Sequence, residues 1–128
     1  RLFQTGGGRF DVLYGFDEQL LAAAVLGARA AVGASYNFAA PLYNRMLAAV
    51  QSNDLAVARQ EQYRGVEIIS LMMKHGFLAS AKELVRLRGL DLGPVRLPNS
   101  PFTPEQAAAF RREAGAAGLF ATTGVRPS

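Results

Sequence analysis

At 128 residues, half of them hydrophobic and 19% charged, the chain has the composition of one packed domain and excludes a disordered tail or a fibrous repeat. The absence of cysteine excludes disulfides, thiolate metal sites and cysteine nucleophiles, and a single histidine, His75, leaves no second imidazole for a zinc site. The net charge of +4 comes from 14 basic residues that are spread along the chain, with Arg111–Arg112 the one adjacent pair and no interleaved aromatics, so nucleic acid is not an expected partner. No run of about 18 apolar residues occurs, so no membrane span is expected. Arg1 to Thr5 lead into three glycines without an apolar segment, so no secretory leader is expected and the default compartment is cytoplasmic.

In chain order, Phe10 to Tyr14 is a short β-prone run between Gly8 and Gly15. A helical pattern follows from Phe16 to Leu26, with Leu20, Leu21, Ala24 and Val25 on one side and Gly27 as its stop. Ala30 to Ala34 is a second short apolar run. Together these make one βαβ unit, whose strands are expected to be parallel. Pro41 suits the first turn of a helix carrying Leu42, Met46, Leu47 and Val50. Ser52-Asn53-Asp54 ends that helix and caps a longer one, which places Leu55, Ala58, Gln62, Val66, Ile69 and Met73 near one face and stops at Gly76. Phe77 to Leu87 continues as a helix with Lys82, Glu83 and Arg86 outward, and Gly89 to Pro101 reads as an extended connection. Thr103-Pro104-Glu105-Gln106 has the spacing of a capping box with proline at the first helical position.

Two parallel strands followed by helices make a poor complete domain, because such strands are normally buried inside a larger sheet. The expected fold class is therefore α/β, the C-terminal part of a (β/α)8 TIM barrel. Residues 1–52 would supply its last two strands and their β/α units, and residues 53–128 a C-terminal helical extension of the same domain.

Barrel chemistry sits at the C-terminal ends of strands. Those ends are Gly15-Phe16-Asp17-Glu18 and Gly33-Ala34-Ser35-Tyr36-Asn37. Gly15 lets a ligand approach the backbone, and Asp17 and Glu18 can accept hydrogen bonds from hydroxyl groups. The competing reading has Asp17 cap the helix and Glu18 favour its dipole. Tyr36 could wall a pocket or simply bury its ring, and Asn37 could satisfy loop backbone. Lys74 and Lys82 lie on amphipathic helices, where a lysine is usually a solvated surface group. His75 reads as a helix C-terminal residue, and Met72, Met73 and Phe77 as packing.

The run from Tyr14 through Gly-Phe-Asp-Glu-Gln-Leu-Leu, then Leu26-Gly-Ala and Ala31-Val-Gly-Ala-Ser-Tyr-Asn37, resembles the N-acetylneuraminate lyase family, a branch of the dihydrodipicolinate synthase superfamily of pyruvate-dependent aldolases. Lys74-His-Gly-Phe77, Lys82 and Gly93-Pro-Val-Arg-Leu-Pro98 agree with it in order, so the resemblance runs from about Phe10 to Phe120. It implies a homotetrameric TIM barrel that cleaves N-acetylneuraminate to N-acetylmannosamine and pyruvate through a lysine Schiff base, with no metal or organic cofactor. It places the catalytic lysine, the proton-shuttling tyrosine and the pyruvate-carboxylate loop upstream of Arg1, so this chain alone would be inactive. The expected partners are a small sugar acid and pyruvate, with neither nucleic acid nor membrane.

Four substrate-binding positions carry over: Gly15 through its backbone, Asp17 and Glu18 to sugar hydroxyls, and position 34, a serine in typical members but Ala34 here. Ser35 is the neighbour able to compensate, although a continuing strand would turn it the other way. One lost hydrogen bond to a hydroxyl costs on the order of 0.5–1.5 kcal/mol. Another pyruvate-dependent 2-keto acid aldolase of the superfamily, or a non-catalytic helical interaction module, are the alternatives.

Overall fold

A computed structural model of the chain describes residues 2–123, and the expectations that touch Arg1 and residues 124–128 lie outside them. After two tight turns within Leu2–Gly8, separated by non-helical backbone at Thr5, Gly6 and Gly7, the chain extends into strand β1 (Leu13–Tyr14), which pairs in parallel with β2 (Ala30–Ala31). The register sets Leu13 opposite Ala30 and Tyr14 opposite Ala31, and the Val32 amide donates to the Tyr14 carbonyl at 2.9 Å. The strands are shorter than the five-residue runs expected. A ladder extends only where a partner offers backbone groups. Each of these strands has the other as its sole described partner, and Asp11 is instead held by Arg29 at 2.6 Å.

Between the strands, a 3-10 turn (Asp17–Gln19) runs into helix α1 (Leu20–Val25). Leu20 and Ala23 face inward, whereas Val25 is 58% exposed, so the buried side is narrower than the apolar pattern suggests. Gly27, at φ 105°, terminates the helix in a conformation that side chains rarely adopt.

Helix α2 (Tyr36–Gln51) begins five residues before Pro41 rather than at it. The Ser35 carbonyl accepts from the amides of Phe38 and Ala39, which nucleates a first turn ahead of the proline. Pro41 has no N–H to donate and its ring crowds the carbonyl one turn back. The chain yields at Ala39 (φ −117°, ψ 15°), and the helix kinks there.

Asn53 at φ 60° turns the chain, and the Asp54 carboxylate accepts from the Val57 amide at 3.1 Å to cap α3 (Leu55–His75). The buried stripe of α3 is rotated from the expected one. It runs through Ala58, Glu61, Gly65, Ile68, Ile69 and Met72, while Leu55 and Met73 are exposed. Two residues that hydrophobicity would not select make this stripe possible. Glu61 is buried because Arg45 (2.9 Å) and Arg64 (2.8 Å) neutralise it. Gly65 leaves room for the Tyr43 hydroxyl, which would lie 3.1 Å from a Cβ at that position.

Gly76 separates α3 from α4 (Phe77–Arg86). Glu83, expected outward with Lys82 and Arg86, is buried instead. Its carboxylate accepts from Arg86 at 2.8 and 2.9 Å and from Arg111 at 2.7 Å, fastening α4 to the helix that carries Arg111. Hydrogen bonds from Arg86, partly opposed by burial and reinforced by Arg111, hold its carboxyl below the usual range. Residues 90–96, with Gly93 and Pro94 among them, are extended within the connection expected over Gly89 to Pro101. α5 (Pro104–Ala116) opens with the full capping box, Thr103 accepting from the Gln106 amide and Gln106 from the Thr103 amide, and α6 (Leu119–Thr123) closes the described chain.

The core lies between these helices. α2 packs against α3 and α6, and α3 also packs against α4 and α5. Phe38, Leu42, Met46, Met72, Leu84 and Phe110 are completely buried. Each contributes about 1.5–3 kcal/mol by leaving water. None of the described helices is long and apolar enough to cross a membrane. The helical core therefore carries the small two-stranded sheet on its surface and fixes where the strand ends point.

Candidate functional site

The C-terminal ends of β1 and β2 open into a cleft of about 270 Å³. Gly15, Phe16, Asp17 and Glu18 enter it from the first strand end, and Gly33 and Ala34 from the second. All four expected substrate-binding positions, Gly15, Asp17, Glu18 and Ala34, thus border one space. Its third side is apolar and comes from Ile69 and Met73 of α3 and Phe77 at the start of α4. Met73 and Phe77 were expected as packing residues. Met73 is 65% exposed at the cleft, and only its neighbour Met72 belongs to the core.

The two adjacent carboxylates have different surroundings. Glu18 is half-buried and makes no hydrogen bond or ion pair among the described residues, so both of its oxygens are available to a ligand. Asp17 is 7% exposed, and its Oδ2 accepts from the Ser35 amide at 3.2 Å and from the Ser35 hydroxyl. It does not cap the helix that follows it, which has no side-chain cap. Instead it joins the first strand end to the start of α2. A Cβ on Gly33 would overlap the Asp17 carboxylate, so only glycine admits this arrangement.

Ser35 is wholly buried, and its hydroxyl also lies 3.1 Å from that of Tyr43. Because it turns inward to Asp17 at the start of a helix, it does not supply the hydroxyl that Ala34 lacks; the side chain points away from the cleft, as a continuing strand would also have required. Tyr36 packs edge-on against Tyr43, with ring centroids 4.6 Å apart and planes at 81°. The Tyr36 hydroxyl is buried without a well-formed hydrogen bond among the described residues. Burial first, then the Asp17 carboxylate, push its pKa well above the ordinary tyrosine range. Burial likewise pushes Tyr43 up to about 12, although its bond to Ser35 opposes the rise. Both phenols remain protonated donors at neutral pH.

A further tie comes from α3. Gln62 accepts from the Leu21 amide at 2.8 Å and donates to the Asp17 carbonyl at 3.1 Å, pinning the turn that carries both carboxylates. Its sequence signal was a polar residue on the expected inner face of a long helix. Nothing local in the sequence marked the pairing of Ser35 with Asp17 or with Tyr43. Asn37 satisfies loop backbone as anticipated, donating to the Ala34 carbonyl at 3.0 Å.

The basic candidates lie elsewhere. Lys74 pairs with Glu113 at 2.7 Å, and Lys82 donates to the carbonyls of Leu92, Gly93 and Pro94. His75 sits at the end of α3, its Nε2 3.2 Å from Glu113. A larger cavity of about 470 Å³ lies between α4, the connection and α5. Its principal charged groups are spent on structure, Glu83 on Arg86 and Arg111 and Lys82 on backbone. Among the described residues no cluster of three or more His, Asp or Glu side chains is close enough to hold a metal ion.

The sequence profile of the dihydrodipicolinate synthetase family matches residues 1–117. The N-acetylneuraminate lyase of Rattus norvegicus is 42% identical over 102 residues, covering 78% of this chain and 32% of that protein. The N-acetylneuraminate lyase of Gallus gallus is 44% identical over 92 residues, covering 70% and 30%. The chain therefore spans about a third of the length of these relatives. Among solved structures, Proteus mirabilis N-acetylneuraminate lyase superposes with a TM-score of 0.82 at 33% identity, over 90% of this chain and 39% of that one. Ruminococcus gnavus sialic acid aldolase superposes at 0.83 and 28% identity, over 97% and 42%.

Proposed function

Because the chain belongs to the dihydrodipicolinate synthetase family, we propose that it is the C-terminal portion of a Schiff-base aldolase that cleaves N-acetylneuraminate to N-acetylmannosamine and pyruvate. The observation that carries the reading is the convergence of Gly15, Asp17, Glu18 and Ala34 on one cleft at the C-terminal ends of two parallel strands. In this proposal residues 1–52 are the last β/α units of a (β/α)8 barrel and residues 53–128 a helical extension of the same domain, in a cytoplasmic homotetramer that uses no cofactor. The names of the relatives, and the short two-stranded sheet with its unpaired outer edges among the described residues, support it.

The chemistry divides between what lies upstream and what lies here. An upstream lysine forms an imine with the keto carbon, and the imine withdraws electrons from the carbon–carbon bond that breaks. Lys74 and Lys82 are committed to Glu113 and to backbone carbonyls, which leaves neither for that role. This chain holds the sugar. Glu18 accepts hydroxyl hydrogens with both oxygens, Asp17 with the oxygen that Ser35 leaves free, and Gly15 offers its backbone without a side chain in the way. The apolar side formed by Ile69, Met73 and Phe77 takes carbon-bound surface.

Ala34 favours a second reading, an aldolase of the same superfamily acting on a different 2-keto acid. With Ser35 turned inward, none of the described residues places a hydroxyl at that edge of the cleft, a difference of on the order of 0.5–1.5 kcal/mol for a ligand that needs one.

The test uses the natural gene product that contains this chain. Its intact mass is taken before and after pyruvate with borohydride, and its turnover is compared on N-acetylneuraminate and on 2-keto-3-deoxy sugar acids. A reduced adduct upstream of Arg1 with preferred cleavage of N-acetylneuraminate supports the first reading. Preference for another acid selects the second. The absence of any adduct refutes both and leaves a non-catalytic interaction module.

A further inference from the structure

We propose that Ser35 and Tyr43 are positioning residues that hold Asp17 so that one carboxylate oxygen, Oδ1, is presented to the substrate. The proposal rests on the sugar-binding reading of the cleft and adds to it two buried side chains that do not line the cleft.

The direction of the hydrogen bonds follows from counting protons. The Ser35 hydroxyl has one proton and two neighbouring acceptors, the Asp17 carboxylate and the Tyr43 hydroxyl. A carboxylate is the stronger acceptor, so the serine proton goes to Asp17 Oδ2, where the Ser35 amide also donates. Tyr43 must then donate its own proton to Ser35 Oγ across 3.1 Å. The result is a relay from Tyr43 O–H to Ser35 O–H to Asp17, in which each donor also polarises the next.

The surroundings are shaped to keep that relay. Ser35 is 0% and Tyr43 3% exposed, so water does not compete for either hydroxyl. Gly65 on α3 makes the space that the Tyr43 hydroxyl occupies, and Gly33 makes the space over which Asp17 Oδ1 rests. Both Gly33 and Asp17 border the cleft. A short carboxylate side chain left to itself samples several rotamers. With Oδ2 held by Ser35 and the buried Tyr36 hydroxyl beside the carboxylate, Asp17 is confined to one and offers at most a single acceptor, whereas the neighbouring Glu18 offers two. The pair would thus read one hydroxyl at Asp17 and two donors at Glu18.

The experiment compares Tyr43→Phe, Ser35→Ala and the double variant in the natural gene product that contains this chain. Steady-state cleavage of N-acetylneuraminate and hydrogen exchange of the Ser35 amide are both measured. Tyr43→Phe removes one oxygen and keeps the ring. Its expected effect is a KM increase of about three- to tenfold with kcat within about twofold, the loss of one hydrogen bond's influence on ligand placement. Because Tyr43 acts through Ser35, adding Tyr43→Phe to Ser35→Ala should leave KM where Ser35→Ala alone puts it. An unchanged KM in Tyr43→Phe, or effects of the two substitutions that multiply independently, overturns the proposal. If the wild-type protein does not cleave N-acetylneuraminate, the exchange data still decide. Faster Ser35 exchange in Tyr43→Phe then upholds the relay while the substrate reading falls, and unchanged exchange overturns the relay whatever the substrate.

Discussion

Gly33→Ala is the smallest change that should disturb the site from within. A Cβ at this position would overlap the Asp17 carboxylate, leaving two ways to relieve the clash. If Asp17 moves, the bonds from the Ser35 amide and hydroxyl break, both of them to a charged acceptor and both buried. Hydrogen bonds of that kind contribute about 1.5–3 kcal/mol each, so their joint loss costs about 3–6 kcal/mol. If the backbone gives instead, overpacking costs about 1–3 kcal/mol. The expected destabilisation is about 3 kcal/mol, read from the urea midpoint of the natural gene product. Gly15→Ala is the comparison. The nearest atom to a Cβ there is the Val32 carbonyl oxygen at 4.0 Å, so stability should change by less than about 0.5 kcal/mol. Because Gly15 borders the cleft, its KM for the sugar acid should rise even so. The decisive measurement repeats Gly33→Ala in an Asp17→Ala background, where the clash has gone and the second substitution should cost under about 0.5 kcal/mol. A Gly33→Ala protein as stable as wild type, or an equal cost in both backgrounds, would refute the reasoning.

Other outcomes follow from the packing. Because the Glu83 carboxyl is held below its ordinary value in the folded protein, the unfolded chain binds its proton more readily. The stability it contributes is present above the usual carboxylate pKa of about 4.3 and is lost as pH falls through the lowered folded value. Acid titration of unfolding should therefore be steeper below about pH 4.5 for wild type than for Glu83→Gln, and equal slopes would remove Glu83 from the account. Thr103→Ala deletes one half of the capping box and should cost about 1 kcal/mol in chemical denaturation. Phe110→Ala, which empties a completely buried position beneath Phe102, should cost about 3–5 kcal/mol by the same measurement. By contrast, Asp11→Ala breaks an ion pair whose side chains are 67% and 79% exposed, and its effect should stay below about 0.5 kcal/mol.

The elements that were legible in the sequence are those built from local chemistry. Gly27 and Gly76 mark helix ends, Asp54 and Thr103 mark helix starts, and the order strand, helix, strand predicts parallel pairing; each depends on residues within a turn or two of one another. The positions Gly15, Asp17, Glu18 and Ala34 were legible because a motif kept them in order, and the cleft that gathers them lies at the strand ends where it was expected. Errors arose where a distant group decided the outcome. Glu83 was expected outward because carboxylates prefer water, and only Arg111, 28 residues away, reverses that preference together with Arg86. The inner face of α3 was misplaced because the expected stripe took in neither Glu61 nor Gly65. Two arginines and the hydroxyl of Tyr43 give them a buried place. Ser35 was weighed as able to replace a hydroxyl unless a continuing strand turned it away; it is turned away, but by the start of a helix and by Asp17, 18 residues before it. Periodicity and capping act over a few residues and are written in the chain itself. Which carboxylate is buried, which oxygen stays free and which glycine must remain bare depend on groups that meet only when β1, α2 and α3 have packed together.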